Sequence, residues 1–170
     1  MYNYKNKVKN MKKYLLFLLA LLPMTLAFTA CSDEDDLPNV DFDITYEGAT
    51  SVDGVLYVVQ GTSFEITGIT VTNREEGKGA GISAADYYWD YVYVGTSIQP
   101  PYGFEFDVTE NTPAGRHQLD IQSTVFAVDK TIAQAVCSFQ VQVVASADDI
   151  PEGGESTVHV TPKVSTTTDK

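Results

Sequence analysis

Strict alternation of apolar and polar residues is the feature that most limits what this chain can fold into. Val40, Phe42, Ile44 and Tyr46 are interleaved with Asp41, Asp43 and Thr45. Successive side chains of a strand point to opposite faces, so this pattern buries one face and wets the other. Val55 to Val59 is a compact apolar run between Gly54 and Gly61. Phe64 and Ile66 alternate with Glu65 and Thr67; the phase then slips at Gly68, and Ile69 and Val71 continue in the other register. A one-residue slip at glycine predicts a β-bulge. Tyr87 to Val94 reads as a strand pair. Tyr102, Phe104, Phe106 and Val108 alternate with Gly103, Glu105 and Asp107, and Leu119, Ile121 and Ser123 with Gln118, Asp120 and Gln122. Ala135 to Val144 is the last strong strand. No stretch after residue 31 has a helical apolar period.

About seven short strands therefore fall within residues 38–145. Roughly 100 residues in seven strands is the size of one immunoglobulin-like antiparallel β-sandwich, an all-β fold. That length buries one core and is too short for two domains. Thr72 to Ser83 reads as a loop. Its Gly77, Gly79 and Gly81 are not a dinucleotide fingerprint, whose third glycine would stand at Ile82. Residues 146–170 turn to Ser, Asp, Gly, Glu and Thr and read as a flexible polar tail, with one short edge strand around Thr157 to Thr161.

The first 30 residues have a different logic. Lys12 and Lys13 precede a run, Tyr14 to Phe28, that is nearly all apolar, and no acid occurs before Asp33. A charged start, a short apolar stretch and small residues before a cut make a secretory signal. The competing reading is an uncleaved anchor, against which stand the short run and the interruptions at Pro23 and Thr25; a bilayer span needs about 20 apolar residues. Met11-Lys12-Lys13 makes a normal start, so Met11 is an alternative first residue. Phe28-Thr29-Ala30-Cys31 resembles the lipobox of bacterial lipoproteins. That resemblance implies cleavage of residues 1–30, a lipid on Cys31 and attachment to a membrane. Phe28 departs from the usual leucine. Ser32, Asp33, Glu34, Asp35 and Asp36 follow and, with Leu37, form an acidic leash over 31–37. The run resembles the export signal of Bacteroidota-type surface lipoproteins, which implies the outer face of the outer membrane; its plainer reading is a solvated spacer.

Without the leader, 140 residues carry six basic against 23 acidic side chains, a net charge of −17 with the histidines neutral. Like charge repels nucleic acid and anionic lipid, so neither is an expected partner. With Cys31 lipidated, Cys137 is alone and no internal disulfide forms. Period two puts Cys137 on the face of Phe139, Val141 and Val143. A buried thiol is the favoured reading over a reactive one.

Two further segments carry a second resemblance. Tyr87-Tyr88-Trp89-Asp90-Tyr91-Val92-Tyr93-Val94-Gly95-Thr96 is followed by Pro100-Pro101-Tyr102-Gly103-Phe104-Glu105-Phe106-Asp107, and later by Pro113-Ala114-Gly115-Arg116-His117-Gln118-Leu119. Together they resemble bacterial Ig-like repeats of the pattern FYVDGxxVGT…PYSFxWD…GxHTL, clearly over about residues 85–125. Such repeats occur as spacers and binding modules in surface and secreted proteins. The family's Asp-Gly turn is Asp90-Tyr91 here, so Tyr91 either bears a left-handed backbone or lies in another turn. Trp89 is the expected filler between the sheets.

Tyr88, Tyr91 and Tyr93 are the candidate ligand-binding residues, with Asp86, Asp90 and Gln99 as polar neighbours for sugar hydroxyls. The bland reading is that outward tyrosines suit strand propensity. No catalytic residue, metal site or cofactor is expected. Asp41-x-Asp43 and Asp148-Asp149 are too sparse for a calcium loop. His117 and His159 have no ligand spacing with Cys137, and no hydrolase or P-loop motif occurs. The expectation is a non-enzymatic surface module for adhesion or ligand capture, its partners a membrane through the lipid and a glycan. The alternative is an assembly partner or spacer in an outer-membrane complex or fibre.

Overall fold

The computed structural model describes residues 36–166, which lie in one compact unit. The leader, Cys31, Ser32, Asp33, Glu34 and Asp35 lie outside the described residues. The strands are β1 (Val40–Glu47), β2 (Thr50–Val52), β3 (Val55–Val59), β4 (Thr62–Asn73), β5 (Ala80–Ile82), β6 (Ala85–Trp89), β7 (Val92–Ser97), β8 (Phe104–Val108), β9 (Gly115–Ala127), β10 (Ala133–Val144), β11 (Thr157–Val160) and β12 (Lys163–Thr166). The chain is an immunoglobulin-like β-sandwich. One sheet has the order β11-β1-β4-β8 and the other β2-β3-β10-β9-β6-β7, with β5 on β9 and β12 on β10. Every pairing is antiparallel except β3 with β10.

The alternation read from the sequence is the burial pattern. Val40, Phe42, Ile44 and Tyr46 are buried on β1, and Phe64 and Ile66 lie beside them on the same face from β4. The register of β1 on β4 shifts between Thr45, opposite Gly68, and Tyr46, opposite Ile66, which leaves Thr67 as the extra residue of the bulge. Leu56, Val58, Leu119, Ile121, Val141 and Cys137 close the core from the second sheet. Burial pushes the Cys137 thiol up to about 12.

Several expectations differ from the fold, among them the loop over residues 72–83, within which Ala80–Ile82 forms β5 on β9. Trp89 is half-buried, and Tyr87 is the largest fully buried side chain. Trp89 ends β6 beside the turn, whereas Tyr87 lies two residues deeper. Tyr102 precedes β8 with φ of 66°, outside the extended range of the alternating strand. Its carbonyl accepts a bond from the Tyr87 hydroxyl, and its own hydroxyl donates to the Ile82 carbonyl at 2.7 Å.

The segment after residue 145 carries two strands rather than one, and they join opposite sheets. β11 pairs with β1, and β12 pairs with the first half of β10. Polar contacts add to the packing of Val158 and Val160 against the core in holding β11. His159 Nδ1 lies 2.7 Å from Asp43 Oδ1, the Thr161 hydroxyl donates to Asp41 at 2.8 Å, and Arg74 also binds Asp41. The Arg74 guanidinium is the main reason that the Asp41 carboxyl is lowered to about 2.

Candidate functional site

The β6–β7 hairpin turns on Asp90 and Tyr91, with φ of 48° and 67°. Two left-handed residues in succession make the tight turn that matches strand twist. Asparagine, aspartate and glycine suit it; a tyrosine there costs about 1–2 kcal/mol. The neighbouring start of β9 holds the turn in place. Asp90 N–H donates to the Gln118 carbonyl at 2.8 Å, and Asp90 Oδ1 accepts from Gln118 N–H at 2.9 Å. The Tyr91 hydroxyl donates to Gln118 Oε1 at 3.1 Å.

His117 completes the lock. Its Nδ1 lies 2.7 Å from Asp90 Oδ2 and its Nε2 lies 2.7 Å from the Pro113 carbonyl. Both partners are acceptors, so the geometry favours the doubly protonated ring, in which both nitrogens donate. It stacks on Trp89 at 5.1 Å between centroids, a cation over an indole face. Burial opposes the charge, but the Pro113 carbonyl and the Asp90 carboxylate outweigh it and raise the pKa above 6.5. A raised folded-state pKa contributes stability that is full below about 6.5 and is lost as pH rises through the folded value. We therefore expect His117→Gln to destabilise by about 1–2 kcal/mol at pH 5.5, the scale of hydrogen bonds to a charged group, and by less at pH 8.5. Denaturant melts at the two pH values check this; an equal loss at both contradicts the charged assignment.

The three tyrosines expected as a site gather around this hairpin. Tyr93 lies opposite Tyr88 in the ladder, their rings edge-on at 5.7 Å. Tyr88 is half-buried, Tyr93 is 56 % exposed and Tyr91, in the turn, 76 %. The Tyr93 hydroxyl is 2.7 Å from the Thr96 hydroxyl, which donates to Asp86. On the same outer face Gln118 Nε2 and Ser138 Oγ both donate to Asp120 Oδ1, at 2.8 and 2.6 Å. Asp120 is buried and is the cross-strand partner of Tyr88. Asp90 and Asp86 are thus already engaged; Gln99 is exposed in the β7–β8 connection.

A groove not expected from the sequence opens beside the hairpin. It has a volume of about 590 Å³ and runs between β7 and β8, the last strands of the two sheets. Trp89, Val92, Val94, Phe104 and Phe106 line it, and Asp90, Glu105 and Asp107 rim it. Gly95 makes room for its floor, since a Cβ there would stand 2.3 Å from Phe104 Cε2. Among the described residues no group of three His, Cys, Asp or Glu is placed to hold a metal.

Asp36, the last residue of the acidic run, lies at the other end of the domain. Its carbonyl accepts from Thr131 N–H at 2.9 Å, and its carboxylate from the Thr131 hydroxyl. The hairpin turn sits by Gln118 near the start of β9, and Thr131 lies past its end at Ala127. Nine residues of strand separate the two, a distance of about 30 Å at the usual rise.

No family model matches the sequence, and no curated protein matches it. Among solved structures the chain is similar to the fibronectin(III)-like modules of Clostridium thermocellum CbhA, at 18 % identity and a TM-score of 0.38. The match covers 63 % of this chain and 46 % of that one, so the chain matches under half of that structure's length.

Proposed function

We propose that this protein is a non-catalytic binding module held at the outer face of the outer membrane by a lipid on Cys31, with the β6–β7 hairpin as its contact surface. One observation carries the reading. Of the large hydrophobic side chains exposed among the described residues, Tyr91, Val92, Tyr93, Val94 and Ile98 fall in one eight-residue stretch, with Tyr93 on the outer face beside Tyr88 and Val92 and Val94 toward the groove. An exposed apolar cluster rimmed by polar groups marks an interaction surface. It also lies at the end of the domain far from Asp36, where a leash from Cys31 would enter. The other exposed hydrophobics, Phe126, Val128 and Ile132, lie around the β9–β10 turn at the leash end.

Extracellular glycan is the ligand class that suits the outer face. Tyr91 and Tyr93 present rings whose hydroxyls are already fixed by Gln118 and Thr96, so little order is lost on stacking against a sugar. A glycan array followed by calorimetry, with the full-length protein in detergent micelles, tests this. We expect Tyr93→Ala to weaken binding at least tenfold. Tyr91→Gly is expected to weaken binding likewise while raising stability by about 0.5–1 kcal/mol, since relief of the left-handed tyrosine outweighs the unfolded-chain entropy that glycine adds. Absence of any glycan binding, or binding that neither substitution moves, contradicts the glycan reading.

The groove favours a second reading, a protein partner in a surface assembly. Its apolar floor lies between two sheet edges and faces away from the tyrosine pair.

A further inference from the structure

We propose that the β8 edge accepts a strand from a different protein, one in which apolar residues alternate with lysine or arginine. This rests on the reading of the chain as a binding module and names the partner that its groove fits.

Among the described residues β8 pairs only with β4, through five consecutive register pairs from Ile66↔Phe104 to Thr62↔Val108, and its other edge is unpaired by them. Such an edge is a template for another chain. β7, across the groove, is protected. Its register with β6 shifts so that Tyr87 faces Gly95 and Tyr88 faces Tyr93, leaving Val94 as an extra residue. A bulge of this kind interrupts pairing. β8 has none.

Charge names the occupant. Glu105 stands opposite Glu65 on β4, and Glu65 stands opposite Glu47 on β1. Three carboxylates therefore line up across three strands on one outer face, with Asp107 two residues along. No ion pair among the described residues neutralises them. Like charges directly opposite are destabilising, and this row ends at the open edge. A strand laid beside β8 would set its outward side chains next to Glu105 and Asp107, and its inward ones over Phe106, Trp89, Val92 and Val94. Basic residues at alternate positions relieve the row, and apolar residues between them fill the groove. A second copy of this chain cannot supply this. Its basic residues after Cys31 are Arg74, Lys78, Arg116, Lys130, Lys163 and Lys170, no two of them two positions apart.

The test uses full-length, ¹⁵N-labelled protein in detergent micelles and an end-blocked peptide, Val-Lys-Val-Lys-Val-Lys-Val. We expect amide shift changes concentrated on residues 104–108 and the groove. Binding should weaken at least tenfold for the same peptide with glutamate in place of lysine, for the lysine peptide with a central proline, which cannot complete a ladder, and for Glu105→Lys. Glu105 is exposed, so that variant is expected to fold. No binding, equal binding of the proline peptide, or shifts scattered over the acidic surface overturns the proposal. Tyr93→Ala, on the outer face of the other sheet, is expected to leave peptide binding unchanged. Failed peptide binding beside Tyr93-dependent glycan binding therefore refutes the strand partner alone.

Discussion

Tyr87→Ala is expected to destabilise the domain by about 3–5 kcal/mol, the range for truncating a large buried aromatic. Tyr87 is fully buried and joins both sheets at the β6–β7 hairpin end of the core. Its ring stacks on Phe104 at 4.8 Å and meets Phe106 edge-on at 5.7 Å. Those phenylalanines belong to β8, so the ring ties the groove floor to β6. Tyr87→Phe separates packing from hydrogen bonding. It keeps the ring but leaves the Tyr102 carbonyl without the Tyr87 hydroxyl, a loss of about 1–2 kcal/mol. Urea unfolding at neutral pH measures both. If the alanine variant lost less than about 2 kcal/mol, the groove would not be anchored through this ring.

Gly48→Ala is expected to cost about 3 kcal/mol, from backbone strain and overpacking together. Gly48 has φ of 76°, and a Cβ there would stand 2.6 Å from the Ser63 carbonyl oxygen and 3.0 Å from Phe64 Cα. Both are backbone atoms of β4, so no side chain can turn aside to make room. Gly54 is the natural comparison. Its φ is 77°, but nothing lies within 4 Å of the added Cβ. Gly54→Ala should therefore cost only the strain, about 1–2 kcal/mol. Equal losses from the two substitutions would contradict the close approach of β1 and β4 at this turn.

Strands with one face in the core were legible because burial imprints period two on the sequence. β1 reads directly, and the slip at Gly68 gave the bulge opposite Thr45. The Asp90-Tyr91 turn was legible as an oddity, and both residues are left-handed. β2 and β5 were not legible, because three residues are too few to show a period. β11 and β12 hold to the sandwich through main-chain ladders, through His159 and Thr161, and through Val158, Val160 and Val164, which pack partly buried against the core; three valines in an otherwise polar stretch make too short a pattern to read from the sequence. Alternation placed Tyr87 and Trp89 on one face without saying which lies deeper. The glutamate row and the groove depend on the register among β1, β4, β7 and β8, which no local pattern encodes. The pairing of His117 with Asp90 spans 27 residues and depends on β6 lying beside β9.

The most direct test of a surface module displayed on its distal hairpin is labelling of Tyr91→Cys on intact cells with a membrane-impermeant maleimide. Tyr91 is 76 % exposed, so a thiol in its place is accessible. Cys137 is buried with its thiol raised to about 12 and is expected to stay silent. The account predicts equal labelling of Tyr91→Cys before and after lysis, with none in the unsubstituted protein. Labelling that appears only after lysis would contradict it.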